Sequence, residues 1–374
     1  MPRSASLFPV WTWIVGFWLG AAIGSFLNVV IYRMPRGLSL SEPKNSFCPK
    51  CKKQLTPIEL IPLLSWVFQG GKCKGCQSPI PFRYPLVELI TGTLWAVIWY
   101  QHLIVSTNDL VAIQGADPIK AVGYMLFAAA LVAAIFTDLA LFVIPDQINA
   151  FMFLVGVGMN VAYIVNGNES AAWLWGIPSS LAGALVGIAV LWGIAFFGRL
   201  AFGKDAMGHG DIKMARGIGA VLLPMGAGIS FGLAVILGAL GGGVFYFYAK
   251  GREQKIEAAK AAGGKCEPGS AEAKSQEVED EEPYEPESLG SLLKCLVGYV
   301  LLFDIIGLFF PKFYENYFGE NPFDFEGIGD DEWEPGITTI PFGPSLAAGA
   351  LATMIFWAPL SGMVNQYFDA LKSP

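Results

Sequence analysis

FPVWTWIVGFWLGAAIGSFLNVVI, residues 8–31, holds 24 residues without a charged side chain. As a helix rising about 1.5 Å per residue it would reach about 36 Å, enough to cross a hydrocarbon core of roughly 30 Å. Comparable apolar runs follow at about 86–101, 121–144, 147–165, 172–198, 227–249, 291–310 and 343–368. The stretch 212–226 is shorter and glycine-rich, so it either crosses or half-crosses beside the run after it. The chain has 374 residues, 54% hydrophobic and 15% charged, where soluble domains carry about 25% charged residues. These features predict an all-α polytopic membrane protein, a bundle of about eight or nine transmembrane helices. The first run is too long for the apolar part of a signal peptide and is expected to stay in the mature chain.

Basic residues set the orientation, because short loops rich in Lys and Arg stay cytoplasmic. The loop 33–83 carries Arg33, Arg36, Lys44, Lys50, Lys52, Lys53, Lys72, Lys74 and Arg83 against only Glu42 and Glu59. The residues before the first run carry Arg3 alone. This loop is therefore expected inside and the N-terminus outside. Alternation then puts 145–146 and 199–211 inside. The net charge of −7 comes partly from an acidic tract at 267–287. It carries no nucleic-acid signature, and the expected surroundings are membrane lipid.

The basic loop contains two C-x2-C pairs, CPKC at Cys48–Cys51 and CKGC at Cys73–Cys76, with 21 residues between them. Two such pairs present four thiolates, which suits a tetrahedral zinc site with no open position, hence a structural metal. A loop of about 50 residues is too small for a good core of its own, and a metal would hold it together. The competing reading is disulfides or redox dithiols, which would make this a thiol-redox membrane protein; a reducing cytosol disfavours it. Cys266 and Cys295 receive no role.

Two acids stand out. Asp138 lies in IFTDLALFVIPDQIN, near the inner end of the third run, and ionisable groups at that depth are costly and commonly functional. Asp211 follows Gly208-His209-Gly210 at the start of a later run. Topology brings both to one membrane face. Two carboxylates within hydrogen-bond reach share a proton, so that one activates a water while the other polarises a scissile carbonyl. Gly208 and Gly210 would allow unusual dihedrals and close approach of an extended substrate. Asp146 reads as an interfacial or helix-capping residue. Lys213 and Arg216 would bind lipid phosphate, satisfy a carboxylate or anchor the interface, and His209 reads as an exposed loop residue. On residues alone, a transporter with proton-carrying aspartates stays open.

Several stretches together resemble a family: GSFLNVVIYRMP (24–35), the paired cysteine loop, RYPLVELITG (83–92), TDLALFVIPD (137–146), DAMGHGDIKM (205–214) and IPFGPSLAAGAL (340–351). In this order they look like a type IV prepilin peptidase of the GxGD aspartic type. The resemblance implies a helical membrane bundle that cleaves the basic leader of prepilins or pseudopilins at the cytoplasmic face of the inner membrane, as in type IV pilus and type II secretion systems. In bifunctional members the new N-terminus is then methylated from S-adenosylmethionine. The catalytic pair carried over is Asp138 and Asp211, with Gly208, Gly210, Lys213 and Asp146 in support. Cys48, Cys51, Cys73 and Cys76 match the zinc loop that usually accompanies the methyltransferase form. A peptidase without methyl transfer is the alternative. The donor-binding residues are not identified; Arg33, Glu59 and Glu88 are possible polar partners, though Arg33 equally suits an interface anchor and Glu88 a packed, satisfied acid.

The expected organisation is a first helix over 1–31, a cysteine domain over 32–83, a peptidase core over 84–250, an insertion over 251–340 and a last segment over 341–374. The insertion opens with a charged stretch expected to be a disordered linker. Its run 291–310 holds Lys294 and Asp304. If that run crossed fully, Pro341–Pro344 would land outside, away from Asp211. Either 291–310 is re-entrant or interfacial, or the motif's position has changed, or 212–226 does not cross; the cytoplasmic placement of the motif is favoured.

Overall fold

The computed structural model describes residues 7–42, 45–48, 50–104, 117–167, 177–203, 207–261, 288–319, 321–323 and 341–372. Cys266 and the acidic tract 267–287 lie outside them. The helices are α1 (Trp13–Arg33), α2 (Leu64–Phe68), α3 (Arg83–Trp99), α4 (Pro118–Leu141), α5 (Asp146–Val165), α6 (Ser179–Phe202), α7 (His209–Ala261), α8 (Leu289–Val300), α9 (Phe303–Gly307), α10 (Pro311–Phe318), α11 (Gly343–Ile355) and α12 (Trp357–Lys372). Among the described residues there are two isolated bridges and no strand.

Five of these helical segments are long and apolar enough to cross a membrane: Val10–Arg36, Pro118–Leu141, Asp146–Val165, Ser179–Phe202 and His209–Gly243. A sixth is counted if α11 and Pro359–Gln366, bent by 90°, form one span. The remaining expected runs are too short or broken: α3 has 17 residues.

α4 is the centre of the bundle, with Phe127, Leu131 and Val132 fully buried. Its alanine-rich sequence lets neighbours approach closely. α1 and α3 pack antiparallel along a stripe of small residues spaced by four. A Cβ on Gly20 would lie 2.6 Å from the Trp95 Cβ, and one on Gly24 would lie 2.7 Å from the Glu88 Cα. Such small-residue seams are how membrane helices gain packing where water supplies no hydrophobic drive.

α7 is not one rod. Leu223 (φ 62°, ψ 173°) interrupts it before Pro224, whose ring disfavours the α conformation in the residue before it and clashes with the preceding turn. The contacts show a hairpin. Along the first arm, Lys213 meets Asp146, Gly217 meets Met152 and Gly156 meets Ala220, so the arm runs parallel to α5. Along the second arm, Gly226 meets Trp357, Gly349 meets Ser230 and Ala234, and Gly238 meets Ser345. That arm is antiparallel to α11, whose first residue, Gly343, touches Asp138. Both ends of the hairpin therefore reach the level of Asp138. The helix also continues to Ala261, into the tract expected to be a disordered linker; KIEAAKAA is rich in good helix formers.

The run 291–310 is not a continuous helix. The chain breaks at Leu302 (φ 60°) and folds α8, α9 and α10 into a compact unit. Gly298 and Gly307 admit the rings of Phe318 and Tyr314, which a Cβ would meet at 2.7 Å and 2.5 Å. Phe303, Phe313 and Tyr317 stack edge-on beside them, with centroids 5.0–5.2 Å apart around Phe303. The physical reason is charge: Asp304, 2% exposed, has its partner on α7 and not in lipid.

Candidate active site and cysteine cluster

Asp138 stands in the last turn of α4, which Phe142 ends in a left-handed conformation, its N–H donating to the Asp138 carbonyl. Val143-Ile144-Pro145 then lead into α5, with Asp146 its first residue. Asp211 lies in the first turn of α7, where the exposed N–H groups favour negative charge. Asp138 and Asp211 line one cleft of about 350 Å³, together with Ile144, Gly208 and Gly210. The structure thus brings together the two acids that the sequence separates.

The two glycines act differently from expectation. Neither Gly208 nor Gly210 takes a left-handed conformation. A Cβ on Gly208 would sit 3.9 Å from the Asp211 Oδ2, and one on Gly210 3.5 Å from the Ile144 Cβ. They leave the floor beside Asp211 open, and the Gly210 carbonyl accepts a hydrogen bond from the Asn149 Nδ2 at 3.4 Å.

A third glycine had no role in the sequence reading. The backbone N–H of Gly343, at the head of α11, donates to the Asp138 carboxylate, and a Cβ there would lie 2.4 Å from the Asp138 Oδ2. The Pro-Phe-Gly-Pro stretch therefore sits on the acid pair. Gly343→Ala pushes the Asp138 carboxyl out of place. Since a misplacement near 1 Å can lower a rate by about 10²-fold, prepilin cleavage by this variant is expected to fall by at least that factor; a wild-type rate in a purified assay would contradict it.

Asp146 and Lys213 form an ion pair at 2.8 Å, their side chains 12% and 8% exposed. The Tyr314 hydroxyl donates to the Asp146 Oδ2 at 2.7 Å and accepts from the Lys213 Nζ at 3.0 Å. The rings of Tyr299, Tyr314 and Phe318 surround the ammonium at 5.4–5.8 Å. Lys213 is thus a buried carboxylate partner and not a lipid anchor. Arg216 is likewise buried and grips Asp304 with two bonds of 2.8 Å and 2.6 Å. His209 opens α7, and its Nδ1 pairs with the Tyr299 hydroxyl at 2.8 Å. Tyr314, Asp304 and Tyr299 all come from 289–318, and Tyr314, Asn321 and Pro322 also line the cleft. No signal along the chain links residues so distant. Tyr314→Phe strands two buried charges of one hydroxyl contact each. It is expected to destabilise the protein by about 1–3 kcal/mol, read as faster thermal inactivation; unchanged inactivation would overturn this role.

The four cysteines of the loop converge. Their Sγ atoms all lie within 4.8 Å of one another, with Cys48–Cys76 and Cys51–Cys73 both at 3.9 Å. A disulfide needs about 2.05 Å, so these are free thiols. A tetrahedron with metal–sulfur bonds of about 2.3 Å has edges of about 3.8 Å, close to what is seen. Each pair is built alike. The residue after the second cysteine, Lys52 or Gln77, is left-handed. Its N–H returns to the carbonyl of the first, Cys48 or Cys73, at 2.9 Å. The N–H groups of Cys76 and Gly75 hold the Cys73 thiol down at about 6. The donor set fits a single tetrahedral metal ion.

Two family models match the chain: the bacterial peptidase A24 N-terminal domain over residues 18–102 and the type IV leader peptidase family over residues 125–244. A prepilin leader peptidase/N-methyltransferase of Aeromonas hydrophila is 34% identical over 229 residues, covering 55% of this chain and 71% of its own. One of Bacillus subtilis (strain 168) is 33% identical, covering 60% and 80%. One of Myxococcus xanthus (strain DK1622) is 30% identical over 351 residues, covering 92% and 90%. The remaining 8% is shorter than 251–340, so that alignment enters the insertion. No solved structure gives a significant match. By these matches this protein belongs to the type IV leader peptidase family.

Proposed function

We propose that this protein removes the leader from type IV prepilins or pseudopilins at the cytoplasmic face of the inner membrane, using Asp138 and Asp211, and then methylates the new N-terminus with S-adenosylmethionine. The observation that carries the reading is the single cleft lined by both acids, at the ends of two helices from different parts of the chain. One carboxylate draws a proton from a water held between the pair. The other donates to the scissile carbonyl oxygen, and the tetrahedral intermediate collapses as a proton passes to the leaving amine. Gly343 holds the Asp138 carboxyl through its N–H. Lys213, Asp146 and Tyr314 brace the wall. A prepilin presents this cleft with a basic leader outside the membrane and an apolar helix within it, which suits acids placed at helix ends.

The finer topology follows from the hairpin of α7: α1, α3, α4, α5, α6, both arms of α7 and α11 make about eight membrane segments, with the N-terminus outside. The units are the cysteine domain over 32–83, the core over 84–250, the insertion over 251–340, and 341–374, which returns to the core. In the cysteine cluster Cys48, Cys51, Cys73 and Cys76 hold zinc as a structural ion. Metal analysis of purified protein is expected to give one zinc per chain and four thiols that react only after chelation; zinc-free protein with two disulfides would support the thiol-redox alternative instead. Supplying a prepilin with S-adenosylmethionine labelled in its methyl group tests the whole reading. Cleaved, labelled product is expected. Cleaved but unlabelled product would leave a peptidase alone, and uncleaved prepilin would refute the assignment.

A further inference from the structure

A second cavity, of about 400 Å³, opens between the cysteine pairs and the adjoining ends of α1 and α3. Cavities of roughly 300–1,000 Å³ enclose small organic ligands. The cleavage chemistry does not use it. Its walls combine aromatic faces, Trp66 and Tyr84, with the guanidinium groups of Arg36 and Arg83 and with Asn28 and Glu88, which rise from α1 and α3. The buried atoms without a hydrogen-bond partner among the described residues include three here: Asn28 Oδ1, Arg36 Nε and Arg83 Nε. Interiors rarely leave such atoms orphaned unless something else meets them. Asn28, only 6% exposed, spends its Nδ2 on the Tyr84 carbonyl at 3.1 Å, which leaves Oδ1 as a free acceptor.

The two acids of this wall differ. Glu59 is committed to structure: it takes the Thr56 N–H and hydroxyl, each at 2.9 Å, and the Lys53 ammonium at 3.3 Å. Glu88, 8% exposed, holds the Leu63 N–H at 2.7 Å, at a residue kept left-handed (φ 60°), and has a further contact with Ser25. It has no basic partner among the described residues, so it is the buried carboxylate available to a cationic ligand.

We propose that this cavity binds S-adenosylmethionine, an inference that rests on the methyltransferase reading above and gives it a place. The ring faces of Trp66 and Tyr84 suit an adenine. Glu88 meets the cationic end of the ligand, Asn28 Oδ1 an amino group, and Arg83 and Arg36 its carboxylate. The position fits the order of events. Ala140 and Leu141, in the last turn of α4, also line this cavity, while Asp138 in the same turn lines the cleavage cleft. The amine freed by cleavage thus emerges one helical turn from the donor. Its lone pair attacks the methyl carbon, the N–C bond forms as the C–S bond breaks, the bonding electrons return to sulfur as a neutral thioether, and the extra amine proton leaves to water.

The test is binding of S-adenosylhomocysteine, the unreactive thioether product, to the full-length protein in nanodiscs by isothermal titration. Glu88→Gln, nearly isosteric, is expected to weaken it at least tenfold and to give cleaved, unmethylated prepilin. Ultraviolet crosslinking of radiolabelled S-adenosylmethionine to the unmodified protein is expected to label peptides containing Asn28, Trp66 or Tyr84. Tight binding in Glu88→Gln with label elsewhere overturns the site and leaves the methyltransferase reading standing. Unmodified protein that cleaves prepilin yet binds no thioether overturns both.

Discussion

Asp138→Asn and Asp211→Asn are each expected to lower prepilin cleavage by about 10³-fold or more while the protein still purifies as a folded species. Asparagine keeps the size and one carbonyl oxygen but cannot exchange a proton, and general acid–base groups contribute about 10²–10⁴-fold each. In the proposed mechanism the two acids act on one water, so their effects are not additive: the double variant is expected to be no slower than the worse single variant. The measurement is cleavage of a purified prepilin in liposomes, with monodisperse elution as the folding control. A variant that keeps the wild-type rate would remove its acid from the reaction. The same pair of results separates this enzyme from a proton-carrying transporter, in which neither substitution has a cleavage rate to change.

The second large effect concerns the insertion. Asp304→Ala is expected to destabilise the protein by about 3–5 kcal/mol, because it leaves the Arg216 guanidinium buried without its partner. The Arg216 and Asp304 side chains are 1% and 3% exposed, so solvent cannot compensate. Replacing both, as Arg216→Met with Asp304→Leu, is expected to recover most of the loss, since a buried ion pair is often no more stabilising than apolar residues of similar volume. Membrane proteins rarely unfold reversibly, so the readout is the half-life of monodisperse protein at a fixed elevated temperature. Equal half-lives for Asp304→Ala and wild type would show that the α8–α10 unit is not docked on α7. The ion pair also explains why the insertion is not a detachable addition: Arg216 lies within the matched family region, and its partner lies beyond it.

Much of this was legible along the chain. Apolar run lengths marked α1, α4, α5 and α6 as membrane helices, because crossing a hydrocarbon core demands length and the exclusion of charge, both local properties. The cysteine pairs could be read for a similar reason: two ligands within one tight turn are a local geometry, and only the meeting of the two turns is tertiary. The residues 291–310 read two ways, as a span or as a re-entrant segment, for the opposite reason. Their hydropathy suits a span, but Asp304 needed a cation, and the one it found lies 88 residues away.

What the sequence by itself determined was the class of molecule, the identity of its acids and thiols, and the family order of its motifs. These follow from composition and spacing, which folding does not alter. The tertiary structure alone decided that α7 turns back at Leu223–Pro224, that Gly343 rests on Asp138, and that Lys213 and Arg216 face buried carboxylates. Each depends on which distant surfaces pack together. Where a buried charge finds its counter-charge is settled by the free energy of the assembled bundle, and no window along the chain contains both partners.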